Sequence, residues 1–120
     1  YGHDIGDRVL KKVARTVRKH LRKIDLLFRY GGEEFIALLP GAPREAAERT
    51  AERIRNVVSK SGHFTARNEE IKVTISIGGC IYPFDAQNEI ELFRIADKAL
   101  YISKREGKNR VTFSNPGGLR

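Results

Sequence analysis

The chain has 120 residues, 40% of them apolar, with 23 basic and 15 acidic side chains for a formal net charge of +8. That length supports one hydrophobic core and excludes two. No apolar run approaches the roughly 20 residues that cross a bilayer and no signal-peptide pattern opens the chain, while a lone cysteine, Cys80, excludes an internal disulfide. A reducing, cytoplasmic setting follows, with Cys80 as a small buried hydrophobe without chemistry of its own.

The positive charge admits two readings. It can be a nucleic-acid footprint, but the basic residues are spread over helix faces, and from Arg44 to Arg55 they interleave with acids, the pattern of a salt-bridged solvated surface. No aromatic stacking platform accompanies them, so no nucleic acid is expected and a nucleoside triphosphate is the better anionic partner. The sequence contains no methionine, even at position 1, which predicts a piece of a longer chain.

In chain order, Ile5, Val9, Val13, Val17 and Leu21 recur every four residues, predicting a helix from about Gly6 to about Arg22. Leu26-Leu27-Phe28 and Phe35 to Leu39 read as strands of a hairpin, with Gly31-Gly32 as its two-residue turn. Pro40-Gly41-Ala42-Pro43 breaks the chain before a helix from Arg44 to Ser59, whose buried stripe is Ala47, Ala51, Ile54 and Val58 and which Gly62 ends. Ile71, Val73, Ile75 and Ile77 alternate with small or polar residues as one half-buried strand continuing toward Cys80 and Tyr82. A last helix carries Leu92, Phe93, Ala96, Ala99 and Leu100 to a stop near Gly107, Arg110 to Phe113 forms a short strand, and 114–120 reads as a frayed tail. The order is αββαβαβ, an α/β (α+β) sandwich in one domain, 1–113.

The hairpin carries the chemistry. Glu33 and Glu34 follow the glycines directly, and strand alternation places them on opposite faces. Two acids at the tip of an apolar hairpin, in a basic chain, suit Mg²⁺, which takes one or two carboxylates plus substrate phosphates; the bland alternative is a solvated turn. Lys104 and Lys108, four residues apart near the last helix end, can face one phosphate ligand or simply favour the helix dipole. His3, His20 and His63 form no metal cluster, and no Ser-His-Asp set or P-loop appears.

Gly31-Gly32-Glu33-Glu34-Phe35 resembles the signature of the GGDEF family, the diguanylate cyclases, in its GGEEF form. Gly2-His3-Asp4-Ile5-Gly6-Asp7 through Leu10 is similar to the family's GHxxGDxxL segment, Arg22-Lys23-Ile24-Asp25 to its RxxD inhibitory motif, and Ala96 to Asn109 to its ADxALYxAKxxGKN tail. The likeness covers nearly the whole chain. It implies the palm-like sheet shared with adenylate cyclases and some polymerases, with one departure. The family's first strand, carrying DxDxFKxxND in the middle of the sheet, is missing, and with it a metal-binding Asp and a base-recognising Asn. Open strand edges are then expected, with marginal stability or strand-exchanged oligomers.

The resemblance further implies that a homodimer condenses two GTP into cyclic di-GMP and pyrophosphate with Mg²⁺ (or Mn²⁺). Glu33 and Glu34 become metal ligands and catalytic carboxylates, their roles undivided. Asp7 becomes the acceptor for guanine, Gly31 and Gly32 allow close approach of phosphates, and Arg29, Lys104 and Lys108 contact phosphates. Arg22 and Asp25 become the inhibitory site for cyclic di-GMP. Family members are usually fused to sensors, so the parent protein can be membrane-tethered although this domain makes no membrane contact. The alternative is a catalytically silent module that binds cyclic di-GMP or GTP.

Overall fold

The computed structural model describes residues 3–61, 63–66 and 68–115. Among them the helices α1 (His3–Lys19), α2 (Arg44–Ser61) and α3 (Glu89–Arg105) alternate with the strands β1 (Leu26–Gly31), β2 (Glu34–Leu38), β3 (His63–Ala66), β4 (Glu69–Lys72), β5 (Ile77–Gly79) and β6 (Val111–Phe113). The α+β architecture is the expected one.

Helix α1 follows its four-residue apolar repeat and buries Val13. It begins earlier than the repeat suggests and stops three residues short of Arg22. His20 N–H donates to Val17 O (3.0 Å) and Leu21 N–H to Arg18 O (3.2 Å), tightening the last turn so that the chain leaves the helix. Helix α2 starts directly after Pro43, buries Ala47, Ala51, Ile54 and Val58 as expected, and runs to Ser61, two residues past the expected end. Gly62, its expected terminator, lies outside the described residues, as do Tyr1, Gly2 and 116–120.

Helix α3 has caps at both ends. Asn88 accepts from Glu91 N–H at 2.9 Å, while the Glu91 carboxylate accepts from Gln87 N–H at 3.1 Å. At the other end Lys108 N–H donates to Ser103 O (2.9 Å) and Gly107 takes φ 122°, a glycine-dependent termination. Its middle lies directly on β5. A Cβ on Gly78 would fall 2.1 Å from Leu100 N, so only glycine lets the strand and helix backbones approach this closely. Ser103 adds a buried bond, donating to Ile77 O at 2.9 Å.

The single strand expected from Ile71 onward is two strands. Residues 69–72 are drawn into an antiparallel hairpin with β3, residues 77–79 pair in parallel with β6, and residues 73–76 between them join no ladder. An alternating apolar pattern selects a pleated backbone, but a strand exists only where a neighbour supplies hydrogen bonds. The palm-like sheet is accordingly present in pieces, β1–β2, β3–β4 and β5–β6, with outer edges left open among the described residues.

A buried polar node joins α2, the loop before α3 and the end of β6. Asp85 pairs with Arg44 and accepts from Ile81 N–H (2.8 Å) and Ser114 Oγ (2.6 Å), and Arg44 donates to Ser114 O at 2.6 Å. Ser114 is 1% exposed, so the packed body extends past Phe113 and the expected tail does not begin at residue 114. Cys80 is half-buried rather than fully buried. Its thiol donates to Leu92 O at 3.1 Å, and burial pushes its pKa up to about 11, which leaves it protonated and unreactive at neutral pH.

Candidate active site

The register of the β1–β2 hairpin pairs Leu26 with Leu38, Phe28 with Ile36 and Arg29 with Phe35, then Gly31 with Glu34. Tyr30 is therefore an extra residue on β1, a bulge, and the two-residue turn is Gly32-Glu33 rather than Gly31-Gly32. Gly32 takes φ 47°, the left-handed conformation for which glycine is suited, while Gly31 closes the ladder opposite Glu34. Glu33 consequently sits in the turn itself and only Glu34 belongs to a strand. The turn, not strand alternation, separates the two carboxylates.

Three elements meet at this tip. Arg29 donates to Gly32 O through Nε (3.0 Å) and Nη2 (2.6 Å) and lies 3.7 Å from Asp7 of α1. Asp7 also lies 3.8 Å from Lys11, and Glu34 lies 3.7 Å from Lys104 of α3. Asp7, Arg29, Gly32, Glu34 and Lys104 thus form one charged neighbourhood. Arg29 is already engaged in holding the turn. Lys108 is not brought onto the helix face of Lys104: it follows the end of α3, in the terminating turn, at φ 63°.

Beside the tip lies a cleft of about 330 Å³, walled by Ile5, Val9 and Leu10 of α1 with Ile71 and Val73, and taking in Glu33 as its acid. Its walls are mostly apolar and it opens to solvent. Among the described residues no three His, Cys, Asp or Glu side chains converge on a metal position. Glu33, on the cleft, and Glu34, beside Lys104, are carboxylates of the kind a hard cation takes together with substrate phosphates and water, and they form no cage of protein ligands among the described residues.

Arg22 and Asp25 form a second cluster at the base of the hairpin. β1 spans six residues, so this cluster lies roughly 17 Å from the acids along the strand. Asp25 is 2% exposed and accepts from Arg22 N–H (2.7 Å), Nε (3.0 Å) and Nη2 (2.7 Å). These bonds hold its carboxyl below the usual carboxylate range and raise the Arg22 pKa. Arg18 donates to the carbonyls of Asp25 and Arg22, each at 2.7 Å, and Arg53 donates to His20 O at 3.0 Å. Sequence reasoning overlooked Arg18, one helical turn before Arg22, and Arg53, which no local spacing links to the connector. It also overlooked the packing of Tyr30 on Phe93, at 4.9 Å between ring centroids, because the bulge that releases Tyr30 is invisible until the register is known.

Comparison with known proteins bears on the family and the fold. The family described as "Diguanylate cyclase, GGDEF domain" matches residues 1–110. Diguanylate cyclase DosC of Escherichia coli K12 is 44% identical over 111 residues, taking in 92% of this chain, and the chain spans only 24% of that relative's length. The GGDEF domain of DgcB from Caulobacter crescentus, solved in complex with c-di-GMP, is similar at TM-score 0.83 and 35% identity over 94% of this chain and 67% of that one. Diguanylate cyclase SiaD of Pseudomonas aeruginosa, solved with its activator SiaC, is similar at TM-score 0.85 and 36% identity over 95% of this chain and 43% of that one.

Proposed function

Because the chain belongs to the GGDEF family of diguanylate cyclases, we propose that it contributes one half of a site that condenses two GTP into cyclic di-GMP and pyrophosphate. The observation that carries this reading is the meeting of Asp7, Arg29, Glu34 and Lys104 at one hairpin tip, with Glu33 beside them on the cleft. Each copy of a homodimer holds one GTP. The 3′-oxygen of each GTP attacks the α-phosphorus of the other, so two phosphodiester bonds form, both bonds to the β-phosphates break, and two pyrophosphates leave with their electron pairs.

The residues divide the labour by chemistry. Asp7 accepts from the guanine N1 and N2 donors, exchanging its loose, exposed pairs with Arg29 and Lys11, which stabilise little and yield readily. Gly31 and Gly32 present bare backbone to phosphate. Lys104 turns from Glu34 to phosphate oxygens, joined by Lys108 from the turn beyond. Glu33 and Glu34 hold Mg²⁺ (or Mn²⁺), which when bound neutralises phosphate charge and eases formation of the attacking oxygen. One of the two carboxylates also assists removal of the hydroxyl proton.

Arg22 and Asp25 are the inhibitory site for cyclic di-GMP. Their mutual fork must open for a guanine to reach the buried Asp25 carboxylate. The open edges of β1 and β5 support strand-exchanged association, which a monodisperse, high-melting monomer in light scattering and calorimetry would exclude. A second reading, a silent receptor for cyclic di-GMP or GTP, is favoured by the lack of a third metal-ligating side chain among the described residues.

The deciding experiment incubates this chain and an N-terminally extended version with GTP and Mg²⁺ and measures cyclic di-GMP by chromatography. Product from the extended form supports the cyclase. No product from either, with cyclic di-GMP still bound by both, supports the receptor.

A further inference from the structure

We propose that Phe93, on the outer face of α3, is a positioning residue that fixes the orientation of the acid hairpin through Tyr30; the proposal rests on the cyclase reading above. The hairpin strands pack mainly on each other, so the attitude of the tip depends on a few side-chain tethers. Two of these tethers reach α3. Glu34 meets Lys104 at 3.7 Å, and the Tyr30 ring meets Phe93 at 4.9 Å with the planes 50° apart. Spacings of four, three and four residues put Phe93, Asp97, Leu100 and Lys104 on one helix face. Phe93 and Lys104 are eleven residues apart, or about 16 Å along the axis. Two contacts this far apart set its direction as well as its distance.

The two tethers fare differently when ligand arrives. Both members of the ion pair have work to do on phosphate and metal, so that tether is surrendered during the reaction. The aromatic pair offers nothing to a phosphate and remains. It is also the tether with the better geometry, since tilted rings near 5 Å retain favourable quadrupole contact, whereas an exposed ion pair at 3.7 Å contributes little. The bulge explains why Tyr30 is available. As the unpaired residue between Arg29 and Gly31, it leaves the ladder pattern and delivers its ring sideways onto α3. The helix it meets is rigid, because Gly78 seats α3 against β5 at backbone contact. The positions of Glu33 and Glu34 are thereby referred, through Tyr30 and Phe93, to the same helix that carries Lys104.

The test uses the N-terminally extended form with Phe93→Ala, Phe93→Leu and Phe93→Tyr. Phe93 is 40% exposed, so these changes leave the core intact. Misplacing catalytic groups by about 1 Å costs up to roughly 100-fold in rate. The expectation is that Phe93→Ala lowers kcat about 10-fold, with KM for GTP within about twofold, Phe93→Leu lying between and Phe93→Tyr restoring most of the rate. Hydrogen exchange of amides in residues 26–38 should quicken in Phe93→Ala while α2 and α3 stay protected. Unchanged kcat and unchanged hairpin exchange overturn the proposal. So does an equal loss in all three variants accompanied by faster exchange throughout the domain, the signature of a purely structural role. If the unsubstituted protein makes no cyclic di-GMP, the cyclase reading fails separately. Exchange then decides: local quickening upholds the docking role and its absence overturns it.

Discussion

Arg22 Nη2 donates to Pro40 O at 2.8 Å, so a guanidinium that precedes β1 grips a residue two positions beyond β2. The same side chain forks onto Asp25. The base of the hairpin is thus closed by one residue, and the acids lie at the opposite end. Replacing Arg22 by Ala should abolish tight cyclic di-GMP binding while leaving GTP binding intact, since Asp7, Arg29 and Lys104 are untouched. Isothermal titration with each nucleotide reads this directly. Unchanged affinity for cyclic di-GMP would remove the inhibitory assignment.

Asp25 gives the domain an acid-side dependence whose sign is fixed. Hydrogen bonding to Arg22 lowers its pKa in the folded state, so its contribution is present above the ordinary aspartate value of about 3.9. That contribution is lost as pH falls through the lower native value. Melting temperatures of the wild type and Asp25→Asn should differ most near neutrality and converge as pH drops below about 4. A gap that stayed constant from pH 7 to pH 3 would show that folding does not lower this carboxylate's pKa, against the effect expected of its bonds to Arg22.

Legibility of the sequence followed the locality of the forces. The stripe Ala47, Ala51, Ile54 and Val58 is a property of one helix, so its burial could be read from spacing alone. The hairpin's existence was equally local. Its turn was misplaced by one residue because two adjacent glycines offer two turns, and only the cross-strand pairing of Gly31 with Glu34 chooses between them. The strand expected from Ile71 failed for a non-local reason: alternation does not reveal whether a partner lies alongside, and 73–76 has none among the described residues. Lys104 and Lys108 looked like one face until Gly107 ended the helix between them. The candidate site residues came partly from the acids at the hairpin tip and partly from resemblance, while the contacts between them appear only in three dimensions.

The Asp85 node should be the most sensitive buried site in the domain. Replacing Arg44 by Ala strands a carboxylate whose side chain is fully buried and whose remaining donors are Ile81 N–H and Ser114 Oγ. Breaking a buried pair from one side costs about 3–5 kcal/mol, enough to remove much of a small domain's stability. Chemical denaturation of Arg44→Ala should show that loss, and Arg44→Ala with Asp85→Asn should recover part of it. No recovery in the double variant would mean that the cost comes from lost packing of the arginine.

Glu34 differs from Glu33 in a way that separates their effects. Glu33 stands in the turn on the cleft, whereas Glu34 lies on β2 facing Lys104. Glu33→Gln and Glu34→Gln should each lower cyclic di-GMP formation by the Mg²⁺-supplied enzyme, by about 100-fold, the usual cost of deleting one electrostatic stabiliser of a transition state. Glu34→Gln alone also frees Lys104, so it should bind GTP without Mg²⁺ at least as tightly as the wild type despite turning it over slowly. Titrating GTP in EDTA separates the two variants. Weaker metal-free binding in Glu34→Gln than in the wild type would contradict the proposed exchange of Lys104 from Glu34 to phosphate.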